Sequence, residues 1–475
     1  MKEYDLIVIG SGAGMNVASG AYEQGLRVAV VENGPMGGTC LNRGCIPTKI
    51  LTYVADIITQ AKHLEELGVK VKIEEIDYPW IMKRMRDEVD GDSRRQGESV
   101  DDAEGIDWYK GTGAFVKDYT MEIDGERIRA PNIIIAAGSR PLIPNIKGLD
   151  KVEYLTNDGA LHLMEQPKSM LIVGGGYIAT EFGHFFSAVG TDVTIIGRNP
   201  YLVKNEDSDV SEILKQELVK RMTVHTNHEA IEVKEENGLK VVVAKNRENG
   251  KEVEFKGEVL LIASGRRSNA DLFKPEKTGV ETDKNGWIKV DNYFRTSKKG
   301  IWSFGDAIGK YQFRHVANDE SQIVWYNLVR TLNAQHERRE PELLAMDYHA
   351  VPRAVFSYPP IATVGMTLKE AENSGRNLLV GEGNYSIGAK GFAMGDPASL
   401  TRVIVDADTR MILGATIIGP YAPILIQEII NLMYTPEGSY QPMFQAMHIH
   451  PALPEIVQRT FGRLSPLGGG HEHHH

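Results

Sequence analysis

Cys40 and Cys45 are the only cysteines in the 475 residues of the chain, and four residues separate them. A disulfide between them would close a very small loop, and cross-linking stabilises a fold least when the loop is short. The spacing instead indicates a dithiol whose bond is made and broken during turnover. Gly37, Gly38 and Gly44 lie around the pair and allow the backbone to approach a bound group. The alternative, two buried cysteines that act as small apolar side chains, gives no reason for the spacing.

Length and composition limit the class of protein around this pair. The chain is long enough for two to four domains, and its charged and apolar fractions, 25% and 42%, are ordinary for a globular protein. The net charge of −11 disfavours non-specific binding of nucleic acid. No apolar run reaches membrane-spanning length, and the first, Leu6–Ile9, is too short for a secretory signal. With only two cysteines, we expect a cytosolic protein with neither a membrane nor a nucleic acid as its partner.

A glycine-rich turn between two predicted strands is the first element that positions chemistry. Tyr4–Ile9 has the apolar character of a buried parallel strand, and Gly10-Ser-Gly12-Ala-Gly14 follows it. This order is typical of a dinucleotide-binding βαβ unit, in which Gly10 makes the tight turn and Gly12 lets backbone N–H groups reach a pyrophosphate. A helix is predicted to follow from Met15. Because Met15 stands where the third glycine is usual, the closeness of helix-to-strand packing is in question.

The same pattern recurs 164 residues later (174 − 10). Met170–Val173 is a predicted strand, Gly174-Gly-Gly176 is the turn, and a helix over Glu181–Val189 leads to a second strand at Asp192–Ile196. A single glycine fingerprint is weak, whereas two copies in the correct context are a strong signal. They predict two bound dinucleotides, one in each of two domains.

The residues at the tips of the two units differ. The second strand of the first unit, Arg27–Val31, ends in Glu32, whose carboxylate suits the hydroxyls of a free ribose. In the second unit Gly197-Arg198 follows the strand, Lys204 lies six residues further on, and no carboxylate is there to repel a 2′-phosphate. We predict FAD at the first site and NADPH, with NADH possible, at the second. The alternative is that Arg198 and Lys204 are solvated loop charges.

Two similar apolar segments, Asn132–Gly138 and Val259–Gly265, each end in a glycine turn and are predicted to return the chain across a nucleotide-binding domain. A short strand from Ile301 ends at Asp306, whose carboxylate is placed to hold a ribityl hydroxyl. By itself a Gly-Asp pair is ordinary turn chemistry. A helix predicted from Arg314 would present its N-terminal amides to a flavin.

The character of the chain changes from Met346, after which no nucleotide fingerprint occurs. Antiparallel strands are predicted within Val351–Val364, Leu400–Val405 and Met411–Ile418, and a helix near Ile424–Met433. This region is predicted to be a third domain. The final residues, 467–475, are rich in glycine and histidine and look like a tail or tag remnant, so they are not interpreted as a metal site.

The segment Gly37–Lys49, which reads GGTCLNRGCIPTK, resembles the class I flavoprotein disulfide reductases, which include glutathione reductase, dihydrolipoamide dehydrogenase, mycothione reductase and mercuric reductase. The segments Gly174–Glu181, Ala136–Gly138, Gly305-Asp306 and His450–Glu455 resemble the same family, and the resemblance spans residues 4 to 462. In motif detail, His450–Glu455, Leu51–Asp56 and His315–Asn318 look most like mycothione reductase and its archaeal relatives. Mercuric reductase is disfavoured because this chain lacks its C-terminal cysteine pair.

The resemblance implies an α/β fold with two Rossmann-like dinucleotide-binding domains, for FAD and NAD(P), and a C-terminal α+β dimerisation domain. The expected divisions are residues 1–150 and 276–345 for the two parts of the FAD domain, 151–275 for the NAD(P) domain and 346–466 for the dimerisation domain. It also implies a head-to-tail homodimer whose active sites are shared between subunits.

The resemblance further implies a role for each residue of the site. Cys45 is expected to be the thiol next to the flavin and Cys40 the thiol that exchanges with substrate. His450, oriented by Glu455 and contributed by the other subunit, is expected to be the acid and base. Lys49 is expected near the flavin edge, paired with a glutamate of the second glycine unit. The full set of residues with expected catalytic roles is Cys40, Cys45, His450, Glu455, Lys49, Glu181 and Tyr177, the last as a gate that covers the flavin.

The residues expected to contact the two cofactors extend beyond this set. They are Gly10, Ser11, Gly12, Gly14, Glu32, Gly38, Thr39, Lys49, Gly113, Ala137, Gly138, Asp306, Arg314, His315, Gly174, Gly176, Ile178, Glu181, Arg198, Lys204 and Gly265. No metal ligand is expected.

The preferred hypothesis is an FAD-dependent NAD(P)H:disulfide oxidoreductase that reduces a low-molecular-weight disulfide resembling mycothione, bis-γ-glutamylcystine or glutathione disulfide. The alternative is a dihydrolipoamide dehydrogenase, which runs the same dithiol chemistry in the oxidative direction with NAD. A non-catalytic flavin-binding scaffold, a flavin oxidase and a monooxygenase are disfavoured because none of them needs a close dithiol.

Overall fold

The computed structural model describes residues 1–395 and 397–467. Except for Leu467, the predicted tail lies outside the described residues. None of the helices within those two ranges is long and apolar enough to cross a membrane.

A five-stranded parallel sheet forms the first nucleotide-binding unit. Its strands, in spatial order, are Ile301–Ser303, Asn132–Ile135, Leu6–Ile9, Val28–Glu32 and Ile106–Lys110. One face packs against the helices Gly14–Glu23, Tyr78–Asp101 and Arg314–Glu337. The other packs against a mixed sheet of Lys2–Glu3, Glu126–Arg129, Thr120–Ile123 and Ala114–Lys117. Leu6–Ile9 is apolar throughout because both of its faces are buried.

The first helix begins at Gly14 rather than at Met15. A Cβ added to Gly14 would lie 2.9 Å from Cγ1 of Val8 on the neighbouring strand, so the helix approaches the sheet as closely as a glycine allows. Gly14 thus provides the close packing that the side chain of Met15 had put in question.

A four-stranded parallel sheet forms the second unit. Its strands, in spatial order, are Thr223–His225, Asp192–Ile196, Ser169–Val173 and Val259–Ile262. The helices Tyr177–Val189 and Ser208–Leu218 pack on one face, and a three-stranded antiparallel sheet of His228–Glu236, Leu239–Asn246 and Glu252–Gly257 packs on the other. A two-stranded ribbon of Ser139–Pro141 and Arg266–Ser268 lies where the chain crosses between the two units.

The third region is a six-stranded antiparallel sheet. Its strands, in spatial order, are Pro352–Val355, Ile361–Gly365, Ile412–Ile418, Leu400–Asp406, Leu378–Gly383 and Ser465–Pro466. The helices Ala422–Met433 and Pro454–Phe461 pack on it. The strand region predicted over 351–364 is two strands, because the chain turns back between Val355 and Ile361.

The cysteines lie in helices between the first two sheets. Cys40 belongs to Gly38–Arg43, and Cys45 begins Cys45–His63. Short helices elsewhere are Asn157–Ala160, Ala270–Phe273, Leu368–Glu372, Ala389–Ala393 and Pro442–Gln445, with 3₁₀ turns at Leu64–Leu67, Leu149–Lys151, Pro275–Thr278, Gly305–Ile308 and Tyr385–Ile387. The predicted fold class, two Rossmann-like units followed by an α+β domain, is confirmed.

Candidate active site

The two thiols lie side by side at the meeting point of two helices. Cys40 is the third residue of a short helix, and Cys45 is the first residue of a 19-residue helix. Gly44 joins them, and a Cβ added to Gly44 would lie 2.8 Å from the carbonyl oxygen of Thr39. Both cysteines are free thiols joined by a hydrogen bond.

The surroundings give the two thiols opposite acidities. The hydrogen bond from Cys40, assisted by the positive charge of Lys49, outweighs burial and lowers the pKa of Cys45 to about 7. The position of Cys45 at a helix N-terminus acts in the same direction. The same hydrogen bond, together with burial, raises the pKa of Cys40. Lys49 and the helix N-terminus therefore both favour negative charge on Cys45 over Cys40.

Lys49 and Glu181 form the ion pair that the resemblance implied. Lys49 Nζ lies 2.7 Å from Glu181 Oε2, and the Glu181 side chain is only 5% exposed. The other carboxylate oxygen of Glu181 accepts a hydrogen bond of 3.1 Å from the backbone N–H of Phe356. Lys49 also lies 4.5 Å from the centre of the Phe356 ring. A buried carboxylate is tolerated when both of its oxygens are satisfied in this way.

Tyr177 is the first residue of the helix that carries Glu181, and its side chain is exposed. It lines a cleft of about 800 Å³ together with Lys204 and the segment Gly309–Phe313. Desolvation of its hydroxyl raises the pKa of Tyr177 to about 12, and the nearby charges of Glu181 and Cys45 act weakly in the same direction. Tyr177 thus stands between an open cleft and the thiol site.

The first glycine turn touches the dithiol segment directly. A Cβ added to Gly10 would lie 2.3 Å from the carbonyl oxygen of Ala136, and Gly10 has a φ of 101°. A Cβ added to Gly38 would lie 2.8 Å from Cα of Gly12, so these two backbones leave no room for a side chain. The Arg314 guanidinium lies beside Gly12, and its charge partly opposes the rise in the pKa of Cys40 that the contact with Cys45 and burial cause. The turn, the dithiol segment and the helix that begins at Arg314 therefore share one corner of the molecule.

Glu32 is held inside the turn by three hydrogen bonds. One carboxylate oxygen accepts from Ser11 N at 2.9 Å and from Ser11 Oγ at 2.8 Å, and the other accepts from Gly34 N at 2.8 Å. Ser11 Oγ in turn accepts from Gly37 N at 3.1 Å. The carboxylate therefore organises the loops around it and still has acceptor capacity for a ribose hydroxyl.

Asp306 lies in a buried polar cluster at the end of the strand that begins at Ile301. Ser139 Oγ donates to Asp306 at 2.6 Å, and Arg266 Nε lies 3.7 Å from the same oxygen. Arg266 also donates to Ser139 Oγ and to its carbonyl oxygen, at 2.7 and 2.6 Å. Burial raises the pKa of Asp306, and both neighbours oppose this shift.

Other predicted contact residues are less central. Gly113 packs against Val31 and Ile123, where a Cβ would lie within about 3.0 Å of both side chains. His315 turns towards the third region, where its Nε2 lies 2.9 Å from the carbonyl oxygen of Pro352. Thr39 is the second residue of the helix Gly38–Arg43. Ala137, Gly138 and Gly265 lie on the loops around the first turn and the two-stranded ribbon, and Ile178 is half-buried in the first turn of the second unit's helix.

The second glycine turn is as tight as the first, but it is more open to its surroundings. Gly174 has a φ of 146°, and a Cβ there would lie 2.2 Å from the carbonyl oxygen of Ala263. No atom lies within 4 Å of a Cβ added to Gly176. Gly176 therefore faces open space, whereas Gly12 faces Arg314.

The tip of the second unit corrects one sequence argument. A carboxylate does lie there: Glu229, on the strand His228–Glu236, is 3.8 Å from Arg198 Nη1 and 3.8 Å from Arg247 Nε. Lys204 is exposed along the Tyr177 cleft. Sequence reasoning missed Glu229 because it lies more than thirty residues after the glycine fingerprint. Only the folded structure brings it close to Arg198 at the tip of the unit.

His450 and Glu455 form the expected pair. His450 Nδ1 lies 3.0 and 3.1 Å from the two carboxylate oxygens of Glu455, and this contact lowers the pKa of Glu455. The carboxylate accepts a further hydrogen bond from Ala452 N at 3.2 Å. Because a carboxylate only accepts, Nδ1 carries a proton and Nε2 is free to act.

The segment around His450 projects away from the body of its own chain. The His450 side chain is 66% exposed, and Met447 and Ile449 are 100% and 80% exposed. Among the described residues, no hydrogen bond joins His450 to either cysteine of the same chain. Exposed apolar side chains next to an exposed histidine mark a surface that is incomplete in a single chain.

Comparison with known proteins agrees with this geometry. The family described as pyridine nucleotide-disulphide oxidoreductase matches residues 4–321, and its dimerisation domain matches residues 351–461. The mycothione reductase of Mycobacterium tuberculosis is 32% identical over 466 residues, which cover 97% of this chain and 99% of that protein. The dihydrolipoyl dehydrogenase of Chlamydia pneumoniae is 32% identical over 464 residues, which cover 96% and 95%.

A solved structure, a Cu(II) complex of the HOCl-induced flavoprotein disulfide reductase RclA from Escherichia coli, superposes with a TM-score of 0.84 at 26% identity and covers 97% of this chain and 99% of that one. The chain therefore belongs to the pyridine nucleotide-disulphide oxidoreductases, FAD-dependent enzymes that use NAD(P)H and act on sulfur groups. Its C-terminal part is the dimerisation domain of that family.

The residues of the first turn fit a bound FAD. The backbone of Gly10 and Gly12 is unobstructed by side chains, and Arg314 supplies positive charge beside it. The helix of Arg314–Glu337 begins at the same corner and offers its free N–H groups. Asp306 is a buried acceptor one loop away.

Sequence reasoning overlooked several residues that shape the site. Phe356 N supports Glu181, Arg266 and Ser139 hold Asp306, and Glu320 accepts from Gly305 N at 2.6 Å and so fixes the loop before Asp306. Arg266 and Ser139 had a local signal, since each directly follows a predicted contact residue, Gly265 and Gly138. The others act through backbone groups or through contacts between distant segments.

Proposed function

We propose that the protein reduces a low-molecular-weight disulfide with NADPH through the Cys40–Cys45 pair. The observation that carries this proposal is geometric: the Cys40–Cys45 segment packs against the first glycine turn through Gly38 and Gly12, and the Lys49–Glu181 ion pair lies one turn beyond Cys45. Bound FAD supplies the transfer of two electrons from the nicotinamide to the disulfide. The remaining steps belong to side chains of the chain itself.

The two thiols divide the exchange reaction. Cys40 loses its proton to a base, attacks the substrate disulfide and forms a mixed disulfide, while one substrate thiolate leaves. The Cys45 thiolate then attacks the Cys40 sulfur, which releases the second substrate group as a thiolate and restores the Cys40–Cys45 bond. Two electrons pass from the pair to the substrate; the Cys40 proton reaches the first leaving thiolate through the base, and the second thiolate takes its proton from solvent. Lys49 stabilises negative charge on Cys45 and on groups next to Cys45, and the ion pair with Glu181 holds Lys49 in position.

The base for Cys40 is proposed to be His450 of the partner subunit. It would take the proton of Cys40 and return it to the leaving thiolate through Nε2, while a glutamate contact at Nδ1 fixes the tautomer, as Glu455 does within this chain. The exposure of His450, and of the apolar residues before it, supports a shared site.

The nucleotide preference rests on Arg198 and Lys204. Arg198 lies at the tip of the second unit, where a 2′-phosphate would replace the long contact to Glu229 with a shorter, charge-assisted one. Lys204 lines the same cleft as Tyr177. Tyr177 is proposed to leave its position when the nicotinamide enters.

The alternative function, dihydrolipoamide oxidation with NAD, is favoured by the equal identity to a dihydrolipoyl dehydrogenase. Steady-state rates with NADPH and NADH, measured against lipoamide, glutathione disulfide, mycothione and bis-γ-glutamylcystine, distinguish the two. The proposal expects NADPH with a small thiol disulfide to give the highest kcat/KM. A higher kcat/KM for the oxidation of dihydrolipoamide with NAD would replace it by the alternative.

The shared site has a direct test by subunit complementation. Cys45→Ser and His450→Gln homodimers should each be nearly inactive, whereas a mixed dimer should regain one of its two sites. His448→Gln, two residues away and paired with Glu428 instead, is the matched control and should keep most of its activity. If the mixed dimer stays inactive, or if an isolated monomer turns over, His450 does not act across the dimer.

A further inference from the structure

A buried histidine joins the second nucleotide-binding unit to the cysteine helix at a point that the proposed chemistry does not use. His184 lies in the helix Tyr177–Val189 and is fully buried. Its Nε2 lies 2.8 Å from Asp56 Oδ1 on the helix Cys45–His63. Its Nδ1 lies 2.7 Å from Arg221 Nη1.

The partners fix the protonation of the ring. A guanidinium only donates, so Nδ1 accepts from Arg221, and Nε2 must carry the proton that Asp56 accepts. Burial lowers the pKa of His184, which keeps the ring neutral in this arrangement. Both ring nitrogens and the facing groups are satisfied, and a neutral ring separates a carboxylate from a guanidinium.

Arg221 extends the connection to the third region. Its Nη2 donates to the carbonyl oxygen of Tyr358 at 2.8 Å, and the Tyr358 ring stacks on His184 with a centroid distance of 6.1 Å. A weaker contact of 3.4 Å joins Arg221 to Thr59 of the cysteine helix. Three parts of the molecule therefore meet at His184.

The two helices have functional N-termini at the same end of this contact. One begins with Cys45 and carries Lys49, and the other begins with Tyr177 and carries Glu181. The Lys49–Glu181 pair joins them at one level, and the bond to His184 joins them about two turns further along the cysteine helix. With only one of these contacts the two helices could pivot about it. The Lys49–Glu181 pair and the Asp56–His184 bond, at different levels, together fix the register of the helices.

We propose that His184 is a positioning residue that, with Asp56 and Arg221, sets the distance between the nicotinamide gate and the dithiol. The kinetic consequence rests on the proposed function. Without the bond, the helix that begins at Tyr177 shifts against the cysteine helix. The affinity for the reduced nucleotide then falls, and Glu181 moves away from Cys45, while Lys49 stays on the same helix as Cys45.

The test replaces His184 in two ways. His184→Phe keeps the ring and removes both hydrogen bonds, whereas in His184→Gln the amide can donate to Asp56 and accept from Arg221. His184→Phe should raise the KM for NADPH by roughly 10-fold to 100-fold, since small misplacements of positioning groups have effects of that size. His184→Gln should restore most of the affinity, and Asp56→Asn, which keeps an acceptor without its charge, should fall between them.

A second readout does not depend on turnover. Because Glu181 raises the pKa of Cys45, its departure should lower the pH midpoint of Cys45 alkylation by roughly 0.5 unit in His184→Phe, within the range that neighbouring charges produce. If the wild-type enzyme does not reduce disulfides with NADPH, the proposed function fails while this readout still tests the positioning role.

The matched control is Thr191→Val, which removes one buried hydrogen bond, from Thr191 Oγ1 to Pro167 O at 2.8 Å, just beyond the other end of the same helix. It should lower thermal stability without changing the KM or the alkylation midpoint. If His184→Phe behaves like Thr191→Val, or if His184→Gln does not restore the wild-type values, His184 is only structural and the inference is wrong.

Discussion

The two glycine turns share a sequence pattern but differ in how the protein completes them. At the first, Glu32 is held by Ser11 and Gly34, Gly12 touches Gly38, and Arg314 closes the corner. At the second, Gly176 faces open space, and Arg198 is exposed with only long contacts around it. The first turn is therefore held in place by contacts within the chain, whereas the second turn has few such contacts and is open to solvent.

This difference matches the two kinds of group that the turns are expected to hold. A resident cofactor benefits from a site that is already assembled, because little freedom is lost when it binds. A nucleotide that enters and leaves in every cycle needs an accessible site with mobile charged partners. The dithiol belongs to the organised half, since its segment is in contact with the first turn.

The largest expected effect comes from substitution in the organised half. In Gly10→Ala the new Cβ would meet the carbonyl of Ala136 at 2.3 Å, at a φ of 101°. We expect a loss of roughly 3 kcal/mol in the free energy of unfolding, and a protein with little bound FAD. Flavin absorbance of the purified protein and chemical denaturation measure both.

The matched substitution in the second turn is Gly176→Ala. Gly176 has a φ of −91°, and the added Cβ would lie in open space. It should retain FAD and change stability by less than about 0.5 kcal/mol, while the KM for the nicotinamide nucleotide rises. Equal losses of FAD in the two variants would contradict the difference between the turns.

Arg198→Ala tests the open turn. Loss of the guanidinium should lower kcat/KM for NADPH by roughly 10-fold to 100-fold, since a charge-assisted contact to a phosphate is worth about 1.5–3 kcal/mol. The rate with NADH in the same variant is the internal control and should change little. A parallel loss with both nucleotides would mean that Arg198 does not contact a 2′-phosphate.

The acidity of the dithiol provides a pH test of the organised half. Alkylation requires the thiolate, so the rate at Cys45 in the reduced enzyme should rise through about pH 7 and level off above it, about 1.5 units below an ordinary thiol. Lys49→Met removes a positive charge that lowers this pKa, and the midpoint should move upwards. A midpoint near that of a free thiol in the wild type would refute the assigned acidity.

The smallest expected effect concerns Glu229. Glu229→Gln removes a negative charge beside Arg198 and Arg247, so repulsion of a 2′-phosphate decreases. These side chains are about half exposed and screened by solvent. We therefore expect the preference for NADPH over NADH, measured as the ratio of the two KM values, to increase only about threefold. An unchanged ratio of the two KM values at low salt would show that Glu229 does not affect the discrimination between NADPH and NADH.

Sequence reasoning reached the elements whose determinants are local. The dithiol and the two turns each lie within a few residues, so their spacing carries the signal. The contact of His450 with Glu455 is also local, but it was expected from the family resemblance. The pairing of Lys49 with a distant glutamate followed only from a family resemblance. The contacts of Gly12 with Gly38, of Arg198 with Glu229 and of Asp56 with His184 join segments that only the fold brings together, and no local pattern predicts them.

The central claim is that electrons from NADPH reach the Cys40–Cys45 pair, and anaerobic reduction followed by thiol counting tests it most directly. One equivalent of NADPH per chain should create two thiols that react with a thiol reagent, together with a long-wavelength absorbance band from the Cys45 thiolate beside flavin. Cys45→Ser should show neither change. The account is contradicted if NADPH bleaches the flavin of the wild-type protein without producing any new thiol.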